Sequence, residues 1–200
     1  MEAGRFYFPD PTLSPMNYCS HCGSDQLEIR IPENDNRKRI VCGRCQTIHY
    51  QNPKVVTGCL PVWEDRVLLC RRAIEPAYGL WNVPSGYLEN GESVVDGARR
   101  EVREEAAAEV DVDYLITLYN LTKVNQVYLQ FVGELVEGRY GIGPESLECH
   151  LFLESEIPWD DIAFTSSAYT LHAYFQNRRS GTPTLYRGSY PEVRPPATLS

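Results

Sequence analysis

Residues 86–108 read GYLENGESVVDGARREVREEAAA, and six of them, REVREE, contain three glutamates and two arginines. At about 100° per residue on a helix, Glu101, Glu104 and Glu105 occupy an arc of about 100° beside an apolar stripe. Like charges spaced three and four residues apart repel each other unless cations lie among them. Divalent ions such as Mg²⁺ take oxygen ligands and commonly join carboxylates to substrate phosphates. The stretch therefore indicates metal-assisted phosphate chemistry; the alternative is a solvated helix face with i to i+4 charge pairs.

The same stretch resembles the Nudix box, G-x5-E-x7-R-E-U-x-E-E-x-G-U, in which U is aliphatic. The residues that match it are Gly86, Glu92, Arg100, Glu101, Val102, Glu104 and Glu105. The sequence departs from the box at Ala107, where the family has the glycine that closes the helix, and at the small Ala108 in the last aliphatic position. The departure concerns how the helix ends, not the metal ligands.

This resemblance implies a Nudix hydrolase, an α/β/α sandwich with a mixed sheet that cleaves a nucleoside diphosphate linked to another group. By motif position, the implied site consists of Glu101 and Glu105 as principal ligands of Mg²⁺ or Mn²⁺, Glu104 as a further ligand or water-orienting group, the Ser85 carbonyl as another ligand, and Arg100 and Glu92 as residues that fix the loop and helix.

The family often adds a carboxylate from outside the box as a ligand or general base. The segment GPESLECHLF carries Glu145 and Glu148 just before a predicted strand. We favour Glu145, because it lies deeper in the glycine-flanked loop, and keep Glu148 as the alternative.

Two close cysteine pairs precede this region. Cys19 and Cys22 are separated by two residues, as are Cys42 and Cys45, and 19 residues lie between the pairs. This spacing is typical of a four-thiolate zinc site, which is closed to water and therefore structural. His21 or His49 as a replacement ligand is the less favoured alternative. We expect a scaffolding or dimerising role for this zinc ribbon.

Composition and charge limit the remaining possibilities. The 200 residues are 42% hydrophobic and 23% charged, with a formal net charge of −8, which favours one main globular domain and argues against a nucleic-acid or membrane surface. No window resembles a membrane span, and the first residues lack the pattern of a secretion signal. We therefore expect a cytoplasmic protein, a homodimer by resemblance. Cys59, Cys70 and Cys149 lie in apolar runs, and we interpret them as small buried hydrophobes.

The elements that must position these residues follow from the hydrophobic pattern. We predict an arm at 1–14, the zinc ribbon at 15–52, the Nudix domain at 53–179 and a loose tail at 180–200. Ser93 is expected to cap a helix that runs to about Ala107, and SSAYTLHAYFQNRR is expected to form a second helix. Strands are predicted in LEIRI, RIVC, PKVVTGCLPV, RVLLCRR, DYLITLYNL, QVYLQFVGELV and CHLFLE, whereas GLWNVPSGYLENGES reads as a loop.

Candidates for substrate contact surround the box. Tyr78, Trp81 and Tyr87 offer aromatic faces for adenine or flavin, although core packing is at least as good an interpretation of Trp81. Arg71 and Arg72 are placed to clamp a phosphate, and surface salt bridges are the equal alternative.

The substrate prediction rests on resemblance over about residues 18–175. A four-cysteine ribbon followed by QNPK and the box is similar to two branches, the NADH pyrophosphatases and the FAD and ADP-ribose pyrophosphatases. The array SQPWPFPxS of the NADH branch is missing, so we predict hydrolysis of FAD to FMN and AMP, with ADP-ribose as a secondary substrate. The alternatives are an NADH pyrophosphatase, a zinc-ribbon protein that senses a nucleotide without cleaving it, and an RNA-end processing enzyme.

Overall fold

The computed structural model describes residues 16–195, which fall into two compact units with a boundary between Pro53 and Lys54. The predicted arm at 1–14 lies outside the described residues. The first unit is a small antiparallel sheet of β1 (Leu27–Arg30), β2 (Arg39–Cys42) and β3 (Ile48–His49), in that order. The two predicted strands of this unit are confirmed, and β3 adds a short third one.

The second unit is built on a mixed sheet. Its strands are β4 (Lys54–Trp63), β5 (Arg66–Arg72), β6 (Trp81–Asn82), β7 (Ser85–Tyr87), β8 (Val110–Leu121), β9 (Gln126–Leu135), β10 (Ser146–Phe152) and β11 (Tyr186–Ser189). They lie in the order β10-β5-β4-β9-β8-β11, with β6 beside β5 and β7 beside β4. The β4–β9 and β8–β11 pairs are parallel and the others antiparallel.

Helix α1 (Val94–Ala106) carries the box glutamates. It begins as predicted, because the Ser93 hydroxyl accepts a hydrogen bond of 3.1 Å from the Asp96 amide and so satisfies one unpaired N–H of the first turn. Its apolar stripe packs on the sheet. The residues that share this core include Ala98, Val102, Ala106, Cys59, Leu68 and Phe131.

Helix α2 (Thr165–Ser180) packs on the opposite face. Phe131 of β9 faces α1, so the next residue back, Gln130, faces away from it. Gln130 is paired with Thr117 of β8, whose hydroxyl lies 3.0 Å from that of Thr170 in α2. One helix on each face of a mixed sheet confirms the predicted α/β/α sandwich.

Two predictions about loops and termini are wrong. A loose tail was predicted at 180–200, of which 196–200 lie outside the described residues. In the described part, β11 joins the sheet edge in parallel with β8, and Tyr186 is buried there. The predicted loop GLWNVPSGYLENGES contains β6 and β7. These three short strands form because other strands of the sheet pair with them, which a local hydrophobic pattern does not reveal. No helix among residues 16–195 is long and apolar enough to cross a membrane.

Candidate active site

The four predicted zinc ligands of the first unit converge. Cys19 and Cys45 have sulfur atoms 3.6 Å apart, as do Cys22 and Cys42, and all four lie within 4.8 Å of one another. Sulfur atoms bound to one tetrahedral zinc ion at about 2.3 Å would be roughly 3.8 Å apart, so this arrangement fits zinc. Hydrogen bonds from Thr47 lower the pKa of Cys45 to about 6, which favours the thiolate form that binds zinc. Neither His21 nor His49 belongs to the cluster.

In the second unit, Glu105 lies in the last turn of α1 and is almost fully buried. Its Oε1 accepts a hydrogen bond of 3.0 Å from the Ser85 amide, and its Oε2 accepts one of 3.2 Å from Nδ2 of Asn82. Burial nevertheless raises the pKa of Glu105 to about 7, and the charge of Glu101 adds to the increase. A buried carboxylate held mainly by neutral donors gains strongly from a cation.

Glu101 lies one turn earlier on α1 and is also buried. A Cβ at position 86 would collide with its carboxylate, so Gly86 permits the close approach of β7 to the helix. Burial raises the pKa of Glu101; the hydrogen bond from Arg100 opposes this change, and the charges of Glu104 and Glu145 reinforce it.

Arg100 is the centre of the ion-pair network around these glutamates. Its Nε and Nη2 donate to both carboxylate oxygens of Glu92, at 3.1 and 2.8 Å. Its Nη1 donates to Glu101 at 2.7 Å and to Glu104 at 2.9 Å, and Nη2 also reaches the Tyr87 carbonyl at 3.0 Å. These contacts join the loop before α1 to the helix, as expected of residues that fix the two together. Arg100 also lowers the pKa of Glu92.

The remaining three carboxylate candidates differ in their surroundings. Glu104 is about half exposed, and one of its oxygens is held by Arg100. Glu148 forms an ion pair of 3.0 Å with Arg71, its register partner on the neighbouring strand. The charge of Glu145, by contrast, acts on Glu101. Of the two residues predicted from outside the box, Glu145 is therefore the one whose charge affects an α1 glutamate.

Ala107 ends α1 in the left-handed conformation, with φ 45° and ψ 41°, which glycine commonly adopts at helix C-termini. The loop before β10 completes the helix end. Gly141 donates to the Ala106 carbonyl at 2.6 Å and Gly143 donates to the Glu105 carbonyl at 3.0 Å. A Cβ at position 143 would collide with the Glu104 carbonyl, so only glycine fits there. The glycine-flanked loop was identified from the sequence, but its contacts with the end of α1 were not.

The two candidate arginines have different partners. Arg71 forms the surface ion pair with Glu148, which matches the alternative interpretation. Arg72 donates to the Pro76 carbonyl at 2.9 Å, and its guanidinium lies 5.0 Å from the centre of the Phe164 ring. Its positive charge also acts on Glu105. Arg72 is thus the arginine that lies toward the glutamates.

The aromatic candidates also separate into two groups. Trp81 packs edge-on against Phe152, with ring centres 4.9 Å apart, so core packing describes it better than ligand contact. Tyr78 and Tyr87 are exposed. Lys54, a cation not predicted from the sequence, lies 4.8 Å from the centre of the Tyr87 ring.

Comparison with known proteins assigns both parts of the chain. A family model described as the NUDIX domain matches residues 52–156, and one described as Nudix N-terminal, a zinc ribbon, matches residues 17–51. A crystal structure of a NUDIX hydrolase from Nitrosomonas europaea is similar with a TM-score of 0.83 and 47% identity, covering 87% of this chain and 98% of that one.

Two kinds of curated relative are similar over much of the chain. The NAD-capped RNA hydrolase NudC of Stutzerimonas stutzeri is 27% identical over 172 residues, which are 86% of this chain and 60% of that protein. The ADP-ribose pyrophosphatase of Methanocaldococcus jannaschii is 24% identical over 113 residues, 54% of this chain and 67% of that protein. The chain spans between 33% and 60% of the length of the first curated relatives it matches.

Proposed function

Because the chain belongs to the Nudix hydrolase family, we propose that it is a Mg²⁺- or Mn²⁺-dependent pyrophosphatase that hydrolyses the diphosphate of an adenosine-containing nucleotide. The first candidate substrate is FAD, cleaved to FMN and AMP, and ADP-ribose is the second. The observation that carries the proposal is the burial of Glu101 and Glu105, one turn apart on α1, next to Ser85 at the start of β7.

The donor set around the α1 glutamates suits a hard divalent ion. Carboxylates and a backbone carbonyl are oxygen ligands, which Mg²⁺ and Mn²⁺ prefer. When bound, such an ion would neutralise the diphosphate and lower the pKa of an attacking water. Glu101, Glu105 and the Ser85 carbonyl are the proposed principal ligands, and Glu104 is a further one.

The protein's own contribution is to hold these ligands in place before substrate arrives. The Ser85 amide and the Asn82 side chain fix both oxygens of Glu105. Arg100 fixes Glu101 and ties α1 to Glu92 in the preceding loop. Preorganised groups of this kind cost little reorganisation during the reaction.

A general base must accept the proton of the attacking water. Glu104 is half exposed, and Arg100 holds only one of its oxygens. Glu145 lies in the exposed loop, and its backbone carbonyl accepts a hydrogen bond of 2.8 Å from Ala73. Both are within the charge network of Glu101, so both are proposed as candidates for this role.

Recognition of the nucleotide is assigned to groups beside the loop of the box. Tyr87 and Tyr78 present exposed rings for stacking, and Lys54 and Arg72 supply positive charge near Tyr87 and Phe164. FAD, ADP-ribose and NAD share an adenosine diphosphate half, so these groups alone do not distinguish among them, and hydrolysis of the diphosphate of each releases AMP.

A second candidate is an activity on an NAD-type substrate. It is favoured by the similarity to the NAD-capped RNA hydrolase of Stutzerimonas stutzeri, which extends over both the zinc ribbon and the Nudix domain. A protein that binds nucleotides without cleaving them is disfavoured, because every carboxylate of the box is present.

A substrate panel tests the proposal. FAD, ADP-ribose, NADH and coenzyme A are each incubated with the protein and with Mg²⁺ or Mn²⁺. Release of AMP, or of adenosine 3′,5′-bisphosphate from coenzyme A, is measured. The proposal predicts the highest kcat/KM with FAD. NADH as the clear best substrate would overturn the FAD assignment, and no AMP from any adenosine diphosphate compound would overturn the pyrophosphatase proposal.

The proposed homodimer is tested separately. Sedimentation equilibrium should give twice the chain mass of 22.8 kDa, and a monomeric mass at micromolar concentration would contradict it.

A further inference from the structure

Two cysteines outside the zinc ribbon form a pair beside the glutamate site. Cys70 of β5 and Cys149 of β10 are register partners on adjacent antiparallel strands, and their sulfur atoms are 3.3 Å apart. Cys70 is fully buried, whereas Cys149 is partly exposed. Both were predicted to be small buried hydrophobes, which describes Cys70 but not the pairing.

The geometry of the strands suits a disulfide. Directly opposed residues of antiparallel strands have Cα atoms about 4.5 or 5.5 Å apart, and both values lie within the usual range for disulfides of about 4.4 to 6.8 Å. The two sulfur atoms need to approach by only about 1.3 Å to reach bonding distance. Small rotations of two side chains supply most of this movement.

Both thiols are connected to Glu105. The Cys149 sulfur lies 3.5 Å from the Glu105 carbonyl oxygen, in the last turn of α1. Cys70 is the strand partner of Asn82, whose side chain holds Oε2 of Glu105. The cysteine pair is therefore connected to Glu105 in two ways. Cys149 contacts its main-chain carbonyl directly, and Cys70 is linked to its side chain through Asn82 of β6.

We propose that Cys70 and Cys149 form a site of reversible oxidation. Peroxides convert the two thiols to a disulfide, and this disulfide lowers the rate of hydrolysis at the glutamate site. In the first step, sulfur of the partly exposed Cys149 attacks a peroxide oxygen. A sulfur–oxygen bond forms, the oxygen–oxygen bond breaks, and hydroxide leaves with the thiol proton as water.

In the second step, sulfur of Cys70 attacks the sulfenic sulfur of Cys149. A sulfur–sulfur bond forms, and the hydroxyl group leaves as a second water with the proton of Cys70. Two thiols and one hydrogen peroxide thus give one disulfide and two waters. A small dithiol reductant reverses the reaction by thiol–disulfide exchange.

The disulfide acts on Glu105 by displacement. We expect the shift of the Cys149 sulfur toward Cys70 to weaken its contact with the Glu105 carbonyl, and a shift of Cys70 in β5 to move its strand partner Asn82. A misplacement on the order of 1 Å at a reacting centre costs up to about a hundredfold in rate. We expect oxidation to lower kcat by about tenfold or more, with recovery after dithiothreitol.

The experiment uses the full chain in its zinc-loaded form, treated with hydrogen peroxide and digested without reduction. Mass spectrometry should find the peptides of Cys70 and Cys149 joined and lighter by two hydrogen atoms, and dithiothreitol should separate them. This readout needs no substrate, so it stands even if the proposed hydrolysis fails. Peptides that remain unlinked would overturn the proposal.

Matched variants isolate this pair from the zinc ligands, whose oxidation is common to all samples. Cys149→Ser and Cys70→Ser should each keep their activity under a peroxide dose that inactivates the wild type, whereas Cys59→Ser, altered at a buried cysteine of the same core, should lose activity as the wild type does. Wild type and Cys149→Ser losing activity equally, or a linked wild type keeping full activity, would also overturn the proposal.

Discussion

The backbone amide of Ser85 donates a hydrogen bond of 3.0 Å to Oε1 of Glu105, so the strand that opens the Nudix box is attached directly to the last turn of its helix. The carboxylate is buried at this junction, and its pKa is raised to about 7. The Ser85 hydrogen bond thus orients a proposed metal ligand and partly offsets the effect of its burial, which is the main cause of the raised pKa.

Glu105 should make the metal-free protein less stable at high pH. Its pKa of about 7 lies above the ordinary value of 4.5. At pH values between these two, the native state therefore keeps a proton that the unfolded chain has lost. Stability is therefore lost as pH rises from about 5 to about 8, by roughly 2 to 3 kcal/mol. Glu105→Gln should remove this loss, and urea unfolding without added Mg²⁺ or Mn²⁺ measures it.

Tryptophan fluorescence suits this measurement, since Trp63, Trp81 and Trp159 all belong to the second unit. Glu109→Gln is the control, because Glu109 is exposed and paired with Arg103. A stability difference between Glu105→Gln and wild type that does not change with pH would contradict the raised pKa.

Arg100→Gln should weaken both the fold and the response to metal. The change removes hydrogen bonds to Glu92, Glu101 and Glu104, and we expect a loss of about 1 to 3 kcal/mol in stability. The metal concentration for half-maximal activity should change as well, because the carboxylates lose their common partner. Arg103→Gln, which breaks an exposed pair with Glu109, should cost under about 1 kcal/mol. Equal effects of the two variants would argue against a special role of Arg100.

Ala107→Gly should stabilise the protein. Ala107 has a φ of 45°, a left-handed conformation that costs an L-residue about 1 kcal/mol and glycine almost nothing. Part of this gain is offset by the greater freedom of glycine in the unfolded chain. We expect a net increase of a few tenths to about 1 kcal/mol, seen in the urea midpoint. Ala106→Gly, inside the helix and buried, should lower the midpoint; a lower midpoint for Ala107→Gly would contradict the strain argument.

Cys42→Ser should remove zinc from the first unit. Cys42 is fully buried among the four thiols, and a structural four-cysteine site needs each ligand. Zinc content should fall from about one ion per chain to near zero, and residues 16–53 should become sensitive to proteases. Cys149→Ser should keep its zinc. A Cys42→Ser protein with full zinc content would contradict the requirement for all four thiolates.

Elements defined by local signals could be predicted from the sequence. The helix α1 follows from its apolar spacing and the Ser93 cap, and the zinc ribbon follows from the spacing of its cysteines. The β4–β5 hairpin was equally visible, because β-branched runs flank a polar turn. In each case the residues that determine the element lie close together in the chain.

Features defined by distant partners could not be predicted. The strand β11 exists only because β8 offers a parallel edge, and nothing local in its Pro-rich segment reveals that. The pairing of Arg71 with Glu148 depends on the β5–β10 register, as does that of Cys70 with Cys149. The caps that Gly141 and Gly143 place on α1 depend on a loop that returns more than thirty residues later.

The most direct measurement of the central claim is AMP release from FAD and ADP-ribose, titrated with Mn²⁺, by wild type, Glu101→Gln, Glu105→Gln and the control Glu109→Gln. If the buried α1 glutamates hold the metal that drives diphosphate hydrolysis, both site variants should lose about a hundredfold or more in kcat/KM while remaining folded, and the control should match wild type. A Glu105→Gln protein that cleaves at the wild-type rate with the wild-type dependence on Mn²⁺ would contradict the account.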